Sequence, residues 1–153
     1  MAAVKRLQNE LSKNTPPTTP GTTIKLVNDD LFNWEIIMDG PAESFYAGGH
    51  FKIQLSFPTN FPFKPPTVSF HTKIWHPNVT NDDKGSMCLG ILRPDVWKPA
   101  SQIRSVLDLI RNLLIEPDID NAVEASIADQ YKNDRKGFEK QAKEWVKKYA
   151  SAK

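Results

Sequence analysis

Hydrophobic residues recur along this chain with two different periods, and the change from one to the other outlines its architecture. Val4, Leu7 and Leu11 are spaced for one face of a helix, with Lys5 and Arg6 on the polar side, which predicts a short amphipathic helix over 3–13. The segment NTPPTTPGTT that follows is too rich in Pro and Gly to continue it and reads as a surface loop leading into a sheet. Four strand-like pieces come next: TIKLV, NWEIIM, FKIQLSF and TVSFH. The turn signals NDD, DGPAESFYAGG and PTNFPFKPP separate them, so the prediction is a four-stranded antiparallel meander. Beyond Pro99 the period becomes helical. Ile103, Val106, Leu107, Ile110, Leu113 and Leu114 form one apolar stripe, with Ser101 as the expected N-cap and Pro117 as the stop. NAVEASIADQYK predicts a shorter helix and NDRKGFEKQAKEWVKKYA a last one. In the last helix Phe138, Ala142, Trp145 and Tyr149 should face inward, and Lys147 and Lys148 suit the C-terminal dipole. Strands followed by helices give an α+β class: an N-terminal helix, the meander, a loop region and about three C-terminal helices.

Composition adds limits. A length of 153 residues suits one domain spanning 1–153, because domains most often run to about 100–150 residues. A net charge of +2 is too mild to argue for a nucleic-acid partner. The start of the chain has no apolar core of a secretory signal. VLDLIRNLLI is interrupted by Asp108, Arg111 and Asn112, so no membrane span is expected. The pattern NVT at Asn78 fits a glycosylation acceptor and is taken as chance. A single cysteine, Cys88, cannot form an internal disulfide, so nothing implies an oxidising compartment.

That cysteine lies in HPNVTNDDKGSMCLGILRPDVWKP, His76 to Pro99, a stretch of turn formers where a thiol is not expected as core filler. The three histidines, His50, His71 and His76, have no metal-ligand spacing with it, and neither a metal nor a cofactor is expected. His76 is open to two readings: a base beside Cys88, or a structural imidazole bonded to the loop backbone, the latter favoured.

WHPNV, then GSMCLGIL, then WKPA, preceded by FPFKPP, resemble the active-site region of ubiquitin-conjugating enzymes. The resemblance extends from VKRLQNEL to the final YKNDRKGFEKQAKEWVKKYA. It implies that family's fold and activity. Cys88 would accept ubiquitin as a thioester from an activating enzyme and pass it to a ligase cysteine or a substrate lysine. Asn78 would donate to the oxyanion formed on the thioester carbonyl or, alternatively, only brace the loop. His76 and Pro77 would position Asn78. Pro62 and Phe63, with Trp97, Lys98, Pro99 and Ala100, would face ubiquitin ligases. Lys5 and Arg6 would meet the activating enzyme, and the Phe61–Pro62 bond would be cis. Ubiquitin, the activating enzyme and ligases are the implied partners of a cytoplasmic and nuclear monomer that looks like a bare catalytic domain. The chain departs from the family in a longer TNDDK loop, in an extra residue around Pro94, and in Gly90 and Asn121, where relatives often carry acids. A related modifier, SUMO or NEDD8, and a non-catalytic ubiquitin-binding variant remain as alternatives. FPFKPP favours ubiquitin, and the presence of Cys88 speaks against a dead variant.

Overall fold

The computed structural model describes residues 2–87 and 89–151. Helix α1 (Ala2–Lys13) leads into a five-stranded antiparallel sheet of order β1-β2-β3-β4-β5. The strands are β1 (Thr22–Val27), β2 (Asp30–Asp39), β3 (His50–Ser56), β4 (Thr67–Phe70) and β5 (Ser86–Met87). Helices α2 (Ile103–Ile115), α3 (Ala125–Asn133) and α4 (Arg135–Trp145) follow, and α4 runs on into a π-helical turn over Val146–Ala150.

The meander arises from alternation. Trp34, Ile36 and Met38 of β2 and Phe51, Ile53 and Leu55 of β3 are all buried and pair directly: Trp34 with Leu55, Ile36 with Ile53, Met38 with Phe51. Their neighbours Glu35 and Lys52 point away from the core, where Glu35 takes ion pairs from Lys25 (3.0 Å) and Lys52 (3.2 Å). At the β1–β2 turn Asn28 and Asp29 both adopt positive φ, as a tight hairpin turn with the twist of its strands requires. The inner sheet face joins one hydrophobic cluster with Ile103, Val106, Leu107, Ile110 and Leu114 of α2 and Phe138 and Ala142 of α4.

Several expectations are corrected. The sheet gains β5, which lies inside the stretch read as too turn-rich for a strand. It pairs Met87 with Val68, and Gly85 makes the approach possible. Gly85 has φ +55°, and a Cβ there would stand 2.0 Å from the Phe70 carbonyl oxygen. The last helix is not uniform over 133–150, since its final turn widens to π geometry. Tyr149 faces solvent, because the turn places it beyond Trp145, on whose ring it stacks edge-on at 5.3 Å. Ser101 is not the N-cap of α2. Gln102 occupies that position without a side-chain bond, and the Ile103 N–H is met instead by the carboxylate of Glu10 in α1, at 2.8 Å. A carboxylate at a helix N-terminus satisfies an orphan amide and complements the dipole. The Phe61–Pro62 bond is cis, and so is Thr15–Pro16.

Candidate active site

His76, Pro77 and Asn78 leave the sheet region and are buried. The His76 ring is fixed at both nitrogens. Its Nδ1 accepts the Asn78 backbone N–H at 2.9 Å, and its Nε2 donates to the Leu113 carbonyl at 2.7 Å. An imidazole with one nitrogen accepting and the other donating is neutral. Burial holds its pKa down at about 4, against the opposing pull of the Leu113 carbonyl. The Tyr46 ring packs 5.6 Å from it, and the Tyr46 hydroxyl donates to the Trp75 carbonyl. His76 is therefore a structural ring and not a base. Pro77 contributes its carbonyl, which accepts the N–H groups of Val123 (2.9 Å) and Glu124 (3.0 Å).

Asn78 is 2% exposed. Its Oδ1 accepts the Asp118 N–H at 2.9 Å, while its Nδ2 donates to the carbonyls of Asp118 (2.8 Å) and Asn121 (3.3 Å). Both amide protons thus go to the Asp118–Asn121 turn. This geometry is that of a brace, and it also leaves no room for a glycan at Asn78. Asn121 is exposed and donates from its own amide to the Asp118 carboxylate at 3.0 Å.

Cys88 lies outside the described residues. On either side of it in sequence, Met87 is held by its pairing with Val68 and a bridge to Val79, and Leu89 is 3% exposed. Leu89, Gly90 and Arg93 line a groove of about 520 Å³ together with Asp118, Asn121 and Val123. Val123, with exposed apolar surface, and the turn carbonyls of Asp118 and Asn121 were not singled out from sequence. A signal existed in EPDIDNAV, where a valine is stranded among polar residues.

The residues expected to face ligases divide into two kinds. Phe63 is 71% exposed, and Lys98, Pro99 and Ala100 are exposed as well. Trp97 is buried. Its indole N–H donates to the Pro62 carbonyl at 2.7 Å and its ring tilts against Phe61 at 6.1 Å, so it supports the surface and does not form it. Lys5 is exposed; Arg6, on the polar side as expected, is half-buried because its guanidinium bonds the Pro99 and Ser101 carbonyls. Among the described residues no group of three His, Cys, Asp or Glu side chains is placed to hold a metal ion, and no helix is long and apolar enough to cross a membrane.

Residues 6–146 match the family model described as ubiquitin-conjugating enzyme. The chain is 45% identical over 148 residues to ubiquitin-conjugating enzyme E2 14 of Schizosaccharomyces pombe, covering 97% of this chain and 94% of that protein. It is 43% identical over 152 residues to ubiquitin conjugating enzyme E2 B of Dictyostelium discoideum, covering 98% and 99%. Among solved structures, the E2 domain of a ubiquitin conjugating enzyme from Toxoplasma gondii superposes with a TM-score of 0.85 at 33% identity, over 95% of this chain and 97% of that one.

Proposed function

The chain belongs to the ubiquitin-conjugating enzyme family and is a ubiquitin-conjugating transferase; on that premise we propose that Cys88 carries ubiquitin as a thioester. The Cys88 thiolate attacks the carbonyl of ubiquitin's C-terminal thioester on the activating enzyme. A tetrahedral oxyanion forms, and it collapses as the activating enzyme's sulfur leaves. The new thioester on Cys88 is then attacked by a ligase thiolate or a substrate lysine amine, and the Cys88 sulfur leaves in turn. A thiol of ordinary pKa, ~8.5, is already a few per cent thiolate near neutral pH, so no base beside it is required. The observation that supports the reading is the open groove beside Leu89, the residue after Cys88: it measures about 520 Å³ and is lined by apolar side chains, Leu89, Ile91, Leu109, Leu113 and Val123, together with Asn78, Asp118 and Asn121.

Asn78 acts in this mechanism through the turn it holds. With both amide protons bonded to Asp118 and Asn121, it sets a wall of the groove. His76 holds Asn78 by its backbone, and the neutral ring has no proton-transfer role.

The test is charging. Incubated with activating enzyme, ATP and ubiquitin, the protein should form an adduct that a thiol reductant removes. Cys88→Ser should give at most a reductant-stable oxyester, and Cys88→Ala none. Adduct surviving in the Ala variant would sink the assignment. SUMO and NEDD8 with their own activating enzymes, run in parallel, decide the modifier.

A further inference from the structure

Arg6 lies where the two ligase-facing loops meet. Its Nη1 donates to the Pro99 carbonyl at 2.6 Å and its Nη2 to the Ser101 carbonyl at 2.9 Å. Its guanidinium carbon sits 5.7 Å from the centre of the Phe61 ring, the anchor beneath Pro62 and Phe63. Its Nε stands 3.5 Å from the Glu10 carboxylate, which is 1% exposed and whose other oxygen caps α2 at Ile103. One cation on the first helix therefore touches both segments, and its partner carboxylate fixes the start of the helix that follows them.

From this geometry we infer that Arg6 is the positioning residue of the ligase-facing platform and not a docking contact for the activating enzyme. The planar fork of a guanidinium can deliver separate N–H groups to two carbonyls at fixed angles, which a lysine's point charge cannot. Successive helix positions point about 100° apart. Lys5, next to Arg6, is exposed and makes no ion pair among the described residues, which leaves it the cation available to the activating enzyme. Ligase affinity then depends on a side chain that the ligase does not touch. The inference rests on the reading that Phe63 and residues 98–100 face ligases, while the clamp itself is independent of any partner.

Amide hydrogen exchange tests the clamp with the protein alone. Arg6→Ala should accelerate exchange at the hydrogen-bonded amides of Lys98, Ser101 and Ile103 by about tenfold, the equivalent of one lost hydrogen bond, and leave the β2–β3 amides unchanged. The same variant should bind the catalytic domain of a thioester-forming ligase about tenfold more weakly while its ubiquitin charging rate stays within about twofold. Arg6→Lys keeps the charge but not the fork and should follow the alanine variant in both readouts. It also carries the comparison if Arg6→Ala does not fold. Lys5→Ala should do the reverse, slowing charging with the platform's exchange intact. Wild-type exchange rates at 98–103 in Arg6→Ala, full ligase binding by Arg6→Lys, or a charging defect in Arg6→Ala equal to that of Lys5→Ala would each overturn the inference. If the wild-type protein itself fails to charge, the thioester reading falls, and the exchange measurements still decide the clamp.

Discussion

The groove wall and the platform proposed to face ligases are built on opposite plans. At the groove wall the residues that the resemblance marks as functional, His76 and Asn78, are themselves the fasteners: both are buried, and their polar atoms bond backbone groups of Leu113, Asp118 and Asn121, 37 to 43 residues away in sequence. On the platform the two jobs are separated. Phe63 stands 71% exposed, while Phe61 and Trp97 behind it are buried and carry the load. A fastener that is also functional cannot be changed without disturbing both fold and chemistry. A contact residue resting on separate anchors can be changed for function alone. Ordered mutations and a pH titration can break or sharpen this contrast.

The largest effect is expected at Asn78. Asn78→Ala removes three hydrogen bonds, to the Asp118 N–H and to the Asp118 and Asn121 carbonyls, each of which contributes about 0.5–1.5 kcal/mol. The summed loss should be about 2–4 kcal/mol of stability, together with a fall in transfer rate of about 10²-fold as the groove wall shifts. Asn78→Asp keeps an acceptor for the Asp118 N–H but buries a carboxylate oxygen against the Asp118 and Asn121 carbonyls, so it should be at least as destabilised as alanine near neutral pH and recover in part as the carboxylate is protonated. Denaturant unfolding and single-turnover discharge read the two together. Slow transfer with wild-type stability would show a free catalytic amide and end the brace reading.

Next comes His76. Its folded pKa, about 4, lies below its ordinary value of 6.5, so the folded state binds fewer protons than the unfolded one. The stability this contributes is fully present above pH 6.5 and is lost as the pH falls toward 4. A shift of that size corresponds to about 3 kcal/mol over the window. The ring resonances of His76 should stay those of neutral imidazole throughout the stable range. A midpoint near 6.5 in an NMR titration would show that the ring is not locked.

The two plans were unequally legible in the sequence. Alternation in NWEIIM and FKIQLSF was enough for β2 and β3, because each strand buries one face and a slip would expose it. The two-residue β5 had no period to read. The groove wall was legible only as a motif, since the partners of Asn78 are backbone groups forty residues on, and backbone bonds leave no mark in side-chain pattern. Arg6 and Glu10 sit at i and i+4 on α1 and look like a surface pair. Nothing local shows that Glu10 caps another helix, so the pattern points to Ser101, the nearest side chain able to cap, instead. Phe63, by contrast, was legible as exposed because prolines on both sides keep it in a loop.

On the platform, Phe63→Ala should leave thermal stability nearly unchanged, since exposed substitutions fall within about 0.5 kcal/mol. It should weaken ligase binding by about 2 kcal/mol if the ring fills a pocket on the partner. Trp97→Phe should behave oppositely: loss of the bond to the Pro62 carbonyl costs about 1 kcal/mol of stability, with binding reduced only through the shifted loop. If both variants lose stability and binding in proportion, the platform is built like the groove wall and the contrast fails.

The smallest effect is expected at the mouth of the groove, where the two positions lacking acids are not equivalent. A lysine amine of pKa ~10.4 is about one part in a thousand deprotonated near neutral pH, whereas a cysteine acceptor is a few per cent thiolate. A carboxylate at the mouth would orient the ammonium and help take its proton. Position 90 can accept one: Gly90 is exposed, and a Cβ there meets nothing within 4 Å. Position 121 cannot accept one cleanly. The Asn121 amide donates to the Asp118 carboxylate at 3.0 Å, so an aspartate there would set two carboxylates against each other. One of that pair would hold its proton more tightly, and the bond that orients Asp118 would be lost. Gly90→Asp should therefore speed discharge to free lysine about three- to tenfold, well short of the 10²–10⁴ of a fully placed general base. Asn121→Asp should gain less, and the double variant should gain less than the product of the two. Discharge to free cysteine should be unchanged by either, because the thiolate needs no proton acceptor. Single-turnover discharge of charged protein to each amino acid separates these cases. If Asn121→Asp outperforms Gly90→Asp, Asp118 is not committed to position 121, and the wall of the groove is looser than its hydrogen bonds imply.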